Sequence, residues 1–314
     1  MASGLLPVRM VLLLRRRGFC FVFVTLFLAG SCETLSAAGR VPLYGICAAY
    51  APEIEALHRE FGVSVQNGFT KTQINGLDFW RGRYAGRDVV VFRTGVSLVN
   101  AAYQLQLALD RFPITHVLFS GVAGGVDPAL HIGDVVIPER WAYHAEAAYL
   151  NEDGKGGYVL PEYLRAEYPN YGMVFPNNVS VVREGETQLT KISAFAVDPN
   201  LLAAARRAVA KVPPMRKAGR VVDVSVGGTG VAGPVFVDNA KYRAWIFKVW
   251  QARCLDMEST ALAHVAHANR TPVLIVRGLS DLAGAQHGRN PIDANEAQVS
   301  EIAAKVLRAI VDEL

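Results

Sequence analysis

The chain of 314 residues carries a formal net charge of +4, with 51% hydrophobic and 19% charged residues. This balance excludes a disordered chain and can supply a sizeable core, and the length suits one large domain plus a leader. Residues 1–38 carry three of the four excess positive charges and no basic run follows Arg17, so charge gives no support for a nucleic-acid partner.

The N-terminus has the layout of a secretory signal peptide over residues 1–38. Arg15-Arg16-Arg17 precedes an apolar stretch from Gly18 to Gly30, and small residues end the segment at Ser36-Ala37-Ala38. The apolar stretch is 13 residues long, short of the roughly 20 that span a bilayer as a helix. We therefore predict cleavage near Ala38 and export to the periplasm or exterior, without a stable membrane span. Acylation of Cys32 at a degenerate lipoprotein site is a less favoured alternative.

Cleavage near Ala38 would remove two of the four cysteines. The other two, Cys47 and Cys254, lie in apolar, strand-like segments, so we predict buried free thiols. In an oxidising compartment a disulfide between them is the alternative, which the sequence does not decide.

Hydrophobic spacing in the body predicts strands that alternate with helices. In chain order these are a strand over 41–49, a helix from about 53, antiparallel hairpins over 66–93, a helix over 98–111, strands over 115–119 and 133–138, a helix over 201–212, a strand over 221–226, helices over 242–250 and 259–268, a strand over 273–276 and a helix over 299–314. Residues 120–125 are predicted to form an irregular glycine-rich loop. Residues 145–200 are predicted to form a long excursion, that is, a segment with little regular pattern. The pattern predicts one layered α/β domain over 39–314, with a mixed, largely parallel central sheet flanked by helices.

Polar or glycine-rich features follow several of these strands. They are Glu53, the 120–125 segment, the 227–230 segment, Glu258 and the pair Ser280-Asp281. Ligands of open α/β sheets sit at the carboxyl ends of strands, so we expect these features to surround one site. Taken singly, Glu53 could instead stabilise a helix N-terminus and Asp281 could be an N-cap.

Two carboxylates from distant parts of the chain suit the cleavage of a C–N bond. A poor leaving group needs an acid on its own side, and hydrolysis needs a base on the opposite side of the sugar. Asp281 and Glu53 could supply both.

Four motifs carry a family resemblance. They are Ser120-Gly121-Val122-Ala123-Gly124-Gly125, Gly133-Asp134-Val135-Val136, Asp256-Met257-Glu258-Ser259-Thr260-Ala261 and Val276-Arg277-Gly278-Leu279-Ser280-Asp281. In this order they closely resemble the nucleoside phosphorylase and methylthioadenosine/S-adenosylhomocysteine nucleosidase superfamily, over about 41–314. The stretch from Phe236 to Ala240 is also similar to the plant bark-storage branch, whose members carry signal peptides.

The resemblance implies a role for each matching residue. Asp281 would hydrogen-bond the purine and donate a proton to its N7, while Ser280 orients the carboxyl group. Glu258 would bind the ribose hydroxyls, Met257 would pack against the sugar, and Glu53 would activate the attacking water.

The resemblance also implies less specific features. Ala123 and Gly124 are expected at the substrate, and Arg277, Gly95 and Gly121 at the nucleophile or anion site. Superfamily members are usually homo-oligomers, so we expect assembly here. No metal or organic cofactor is expected, and the partner is a small purine nucleoside with or without phosphate.

Three positions depart from the family pattern. Ser97 and Leu98 replace the usual glycine and frequent lysine of the early glycine-rich element, and Val122 stands where nucleosidases often have serine.

Three functions follow from the sequence. The first is hydrolysis of adenine nucleosides such as 5′-methylthioadenosine or S-adenosylhomocysteine to free base and ribose derivative. The second is phosphate-dependent phosphorolysis, because backbone N–H groups and Arg277 could hold an anion. The third is an exported storage or nucleoside-binding protein with weak or lost catalysis, since fold alone does not establish activity.

Overall fold

The computed structural model describes residues 41–314 of the chain. The predicted leader, including Cys32, lies outside the described residues. The helices are α1 (Ala51–Phe61), α2 (Leu98–Arg111), α3 (Pro199–Val209), α4 (Ala240–Trp250), α5 (Ser259–Ala268) and α6 (Ile292–Asp312). The strands are β1 (Leu43–Ala48), β2 (Thr70–Ile74), β3 (Leu77–Tyr84), β4 (Arg87–Arg93), β5 (His116–Gly125), β6 (Val135–Ile137), β7 (Arg140–Tyr143), β8 (Ala147–Tyr149), β9 (Val174–Pro176), β10 (Val179–Val181), β11 (Thr190–Ile192), β12 (Phe195–Ala196), β13 (Arg216–Lys217), β14 (Arg220–Val221), β15 (Val224–Val226), β16 (Thr229–Ala232), β17 (Ala252–Asp256) and β18 (Val273–Asp281).

A mixed sheet of twelve strands forms the centre of the fold. Its main order is β12-β7-β16-β17-β5-β1-β4-β3-β2, while β18 pairs with β5 and β6, and β15 pairs with β6. The pairs β1–β4, β1–β5, β5–β18, β16–β17, β7–β16 and β6–β15 are parallel. The predicted hairpins at β2–β3–β4 are antiparallel. The predicted mixed α/β sheet flanked by helices is therefore confirmed.

The innermost strands are buried along their whole length. All six residues of β1 and all nine of β18 are buried, as expected for strands covered on both faces. Helices α1 and α3 both pack against α6, and α2 packs against α5. Cys47 and Cys254 are buried and free, on strands that β5 separates, and burial raises the pKa of both thiols.

The predicted irregular loop over 120–125 is wrong, because this segment is the second half of β5. None of its three glycines has a positive φ, and the segment pairs in parallel with β18 as far as Asp281 and Gly124. The same pairing extends β18 five residues beyond the predicted end at Val276. Extended neighbours thus keep a glycine-rich segment in the sheet.

Other predicted boundaries also change. Helix α6 begins at Ile292, seven residues before the predicted start. The predicted strand over 221–226 is divided into β14 and β15. Before α3 begins at Pro199, the excursion over 145–200 contains only short strands, of which β8 to β11 form small two-stranded sheets and β12 joins the edge of the main sheet. Within residues 41–314, no helix has both the length and the apolar character to cross a membrane.

The strand partners of β5 change along its length, and this positions the site. Pairing with β1 ends at Cys47 and Phe119, and β5 then pairs with β17 through Gly124 and Gly125. Beyond Phe119, therefore, β5 diverges from β1. Divergence of neighbouring strands opens a crevice at their carboxyl ends, where ligands of α/β sheets bind.

Candidate active site

A cavity of about 220 Å³ lies where β1, β5, β17 and β18 end. Most of the predicted site residues meet in it. Its lining residues are Ala49, Tyr50, Glu53, Val96, Val122, Ala123, Gly124, Val235, Phe236, Val237, Leu255, Asp256, Met257, Glu258, Ser280, Asp281, Ile292 and Glu296. Of the predicted positions, Arg277, Gly95, Gly121 and the whole 227–230 segment are not among the lining residues.

Glu53 lies in the first turn of α1 and is only 3% exposed. One carboxylate oxygen accepts from the Ala49 N–H at 2.7 Å and, more weakly, from Tyr50 at 3.4 Å. The other oxygen accepts from the Val122 N–H at 2.7 Å. This N–H is available to Glu53 because β5 no longer pairs with β1 beyond Phe119. Burial raises the pKa of Glu53 to about 7, against the lowering effect of Arg277. Glu53 therefore does more than stabilise a helix terminus, because it joins two strands at the cavity.

Arg277 is completely buried behind the cavity wall and pairs with three carboxylates. Its guanidinium lies 2.9 Å from Asp256, 3.0 Å from Glu258 and 3.7 Å from Glu53. It also donates to the Val122 carbonyl at 2.9 Å. Burial lowers the pKa of Arg277, but the three carboxylates outweigh this and raise it. The guanidinium thus stays charged and is paired with groups of the protein itself.

Glu258 follows β17 and is held from two sides. One oxygen pairs with Arg277, and the other accepts from the Ser97 N–H at 2.9 Å. Ser97 has φ 79°, a conformation that favours glycine, which explains the glycine usual in the family at this position. Burial raises the pKa of Glu258.

Asp281 ends β18 and faces the cavity with little exposure to solvent, at 3%. One carboxyl oxygen accepts from the Ala283 N–H at 2.8 Å, and the other from the Ser280 hydroxyl at 2.9 Å. The next helix along the chain begins at Ile292, so Asp281 is not a helix N-cap. Its carboxyl group is positioned by short local hydrogen bonds at the cavity wall.

Two glycines of β5 make room for the side chains of Glu53 and Asp281. A Cβ on Gly121 would lie 2.5 Å from the Glu53 carboxylate and would also collide with the Arg277 guanidinium. A Cβ on Gly124 would lie 3.1 Å from the Asp281 carboxyl group. Gly121 therefore shapes the carboxylate network from outside the cavity lining. Gly95, with φ 77°, turns the chain just before Val96, which does line the cavity.

The polar lining of the cavity is acidic. Within residues 41–314 its wall has five carboxylates and no lysine, arginine or histidine: Glu53, Asp256, Glu258, Asp281 and Glu296. No cluster of potential metal ligands was found in this part of the chain. An anionic ligand such as phosphate would meet several carboxylates and no facing cation.

Sequence reasoning missed several lining residues. Asp256 could have been found, since it starts the same motif as Glu258 and accepts from the Glu258 and Ser259 N–H groups at 2.8 Å. Tyr50 and Glu296 lack such a signal, because their contact joins residues 246 positions apart.

Comparison with known proteins reveals relatives along nearly all of the described chain. The model of the Phosphorylase superfamily matches residues 44–314. The 5′-methylthioadenosine/S-adenosylhomocysteine nucleosidase of Marinomonas sp. (strain MWYL1) is 31% identical over 211 residues, covering 67% of this chain and 75% of the relative. The enzyme of that name from Psychromonas ingrahamii is 27% identical over 272 residues, covering 86% and 96%.

Solved structures show the same fold. The Helicobacter pylori 5′-methylthioadenosine/S-adenosylhomocysteine nucleosidase has a TM-score of 0.65 and 21% identity, covering 87% of this chain and 99% of its own. The futalosine hydrolase of that organism has a TM-score of 0.64 and 21% identity, with the same coverage.

Proposed function

Because the chain belongs to the Phosphorylase superfamily, we propose that it hydrolyses the N-glycosidic bond of a purine nucleoside. The products are the free base and a ribose derivative. The names of the relatives support adenine nucleosides of the 5′-methylthioadenosine and S-adenosylhomocysteine type as the substrate class. The observation that carries the proposal is that Glu53 and Asp281, from opposite ends of the chain, line one cavity.

Asp281 acts on the leaving base. As the C–N bond breaks, its electron pair passes to the purine, and a proton from the Asp281 carboxyl group to N7 neutralises the developing charge. Ser280 orients this group through its hydroxyl hydrogen bond. The Ala283 N–H fixes the other oxygen, so that the carboxyl group is held in one orientation.

Glu258 and Glu53 act on the sugar. Glu258 accepts hydrogen bonds from the ribose hydroxyls while Met257 packs against the ring, and these contacts strengthen as the sugar becomes oxocarbenium-like. Water attacks C1′ from the face opposite the base and gives its proton to Glu53. Arg277, behind the wall, keeps the two glutamates in place and limits their mutual repulsion.

Electrostatics favours hydrolysis over phosphorolysis. Phosphorolysis needs a phosphate anion beside C1′, but the described lining offers carboxylates there, and the single charge of Arg277 is already shared among three of them. An uncompensated anion in such a cavity is strongly disfavoured. Water carries no such penalty.

A base-release assay on a nucleoside panel tests the proposed reaction. With purified mature protein, we expect free base from adenine nucleosides at equal rates with and without added inorganic phosphate. Release that requires phosphate would instead establish phosphorolysis. Tight nucleoside binding with no release under either condition would establish the storage or binding function.

We also propose that the protein is exported and forms a homo-oligomer. The leader layout supports export. Exposed apolar side chains support assembly: Phe236 lies at the cavity lining, and Val99 and Tyr103 lie on α2. Native mass spectrometry of secreted protein tests both: we expect a multiple of a subunit that begins near residue 39. Monomers, or subunits that retain residues 1–38, would contradict the respective proposal.

A further inference from the structure

Tyr50 and Glu296 form a polar corner of the cavity that the proposed reaction does not use. Both side chains line the cavity, and the Tyr50 hydroxyl donates to a Glu296 carboxylate oxygen at 2.8 Å. Tyr50 is the N-cap residue of α1, and Glu296 lies in the second turn of α6. Both are half-buried, so this corner is screened from bulk solvent.

The Tyr50–Glu296 corner offers acceptors to a ligand. Burial raises the pKa of Tyr50, so its hydroxyl stays protonated, and its one proton is directed to Glu296. A phenol lone pair and the second carboxylate oxygen remain. A complementary ligand group must therefore donate a hydrogen bond.

The other polar groups of the cavity determine which part of a nucleoside reaches this corner. Given the proposed function, the base lies at Asp281, the 2′ and 3′ hydroxyls lie at Glu258, and C1′ lies before Glu53. Asp256 is already paired with Arg277 and with the Ser259 hydroxyl. The 5′ substituent leaves the sugar ring on the side away from the 2′ and 3′ hydroxyls, which leaves the Tyr50–Glu296 corner as its polar neighbour.

The backbone supports this placement. Tyr50 lies three residues before Glu53, and its N–H contacts the Glu53 carboxylate. Asn295, next to Glu296, donates to the Ser280 carbonyl at 3.0 Å, which holds the first turns of α6 over the end of β18. The corner therefore borders the sugar between the two proposed catalytic carboxylates.

We propose that the Tyr50–Glu296 corner binds the 5′ side of the substrate and selects nucleosides that carry a hydrogen-bond donor there. This inference rests on the proposed hydrolysis. The donor is a 5′-hydroxyl or the ammonium group of a 5′ amino-acid thioether. A methylthio group has no donor and would leave the second oxygen of the half-buried Glu296 carboxylate without a partner. Within the proposed substrate class, the corner thus favours nucleosides that carry a 5′ donor, such as S-adenosylhomocysteine, over 5′-methylthioadenosine.

Steady-state base release from four adenine nucleosides tests the corner. Adenosine and S-adenosylhomocysteine carry the two donors, whereas 5′-deoxyadenosine and 5′-methylthioadenosine carry none. A hydrogen bond to a charged group corresponds to about 10- to 100-fold in kcat/KM, so we expect the better donor substrate to exceed 5′-deoxyadenosine by that factor. The donor substrate with the higher kcat/KM shows whether the corner binds the 5′-hydroxyl or the ammonium group.

Glu296→Leu should lower kcat/KM for the donor substrate and raise it for 5′-methylthioadenosine, so that the preference is lost. Tyr50→Phe keeps the ring and should weaken the preference less. Glu301→Leu, on the same helix but paired with Arg59 away from the cavity, is the matched control and should keep the wild-type preference. A wild-type enzyme that prefers 5′-methylthioadenosine, or a preference that survives Glu296→Leu, overturns the inference.

Binding separates this inference from the proposed reaction. If wild-type protein releases base from none of the four nucleosides, the proposed hydrolysis is rejected. Calorimetric Kd values for adenosine and 5′-deoxyadenosine then decide the corner. We expect adenosine to bind more tightly than 5′-deoxyadenosine, and we expect Glu296→Leu to abolish this difference. Equal Kd values of the wild-type protein for the two nucleosides would reject the proposed role of the corner.

Discussion

We expect Asp281→Asn to lower the rate of base release by about 10²- to 10⁴-fold, the range typical of a general acid. Asparagine is isosteric and can still accept from the Ala283 N–H, but it has no proton to transfer to N7. Its amide can hydrogen-bond the base, so KM should change little while kcat falls. Single-turnover release of base, measured beside the nucleoside Kd, separates these effects.

The matched control is Asp293→Asn, an exposed change in the first turn of α6 that removes only a surface ion pair with Arg289. Both variants should fold, as judged by their melting curves. Equal kcat for Asp281→Asn and wild type would reject Asp281 as the acid. A rise in KM without a fall in kcat would reduce its role to binding the base.

The sequence identifies three carboxylates of the cavity because they lie at or after strand ends. Glu53, Glu258 and Asp281 each come after an apolar run, and the sheet brings such ends together. From the sequence, the glycines after Phe119 predict a loop, because glycine is common in turns. In the structure these glycines mark positions where other side chains closely approach the backbone of β5. A side chain at Gly121 or Gly124 would enter the space of Glu53 or Asp281. Composition alone does not distinguish a turn from a strand that other groups approach.

The environment of Arg277 could not be predicted, because its partners come from three separate segments. The sequence allowed Arg277 to face an anion, and the structure places it behind the wall between Asp256, Glu258 and Glu53. The same limit applies to the Tyr50–Glu296 contact. Long-range pairing of charged groups depends on the tertiary fold, so local sequence patterns identify the groups but not their partners.

Glu53→Gln should lower kcat/KM by about 10²- to 10⁴-fold, because the amide cannot take a proton from the attacking water. The change also has a structural cost. The carboxylate accepts from Ala49 and Val122 with different oxygens, and an amide can serve only one of these donors. Glu55→Gln, an exposed change in the same helix, is the control and should leave both activity and melting temperature near wild type.

The pH profile distinguishes loss of a base from this structural cost. The pKa of Glu53 is raised to about 7, chiefly by burial, so the ionised form that accepts a proton prevails above that pH. While Asp281 carries the proton that the reaction requires, kcat/KM of the wild type should therefore rise about tenfold per pH unit below pH 7 and level off above it. Glu53→Gln should lose this acidic limb, whereas a merely destabilised enzyme would keep it at lower amplitude. A limb that persists in Glu53→Gln near pH 7 would assign the titration to another group, with Glu258 the first candidate because burial raises its pKa as well.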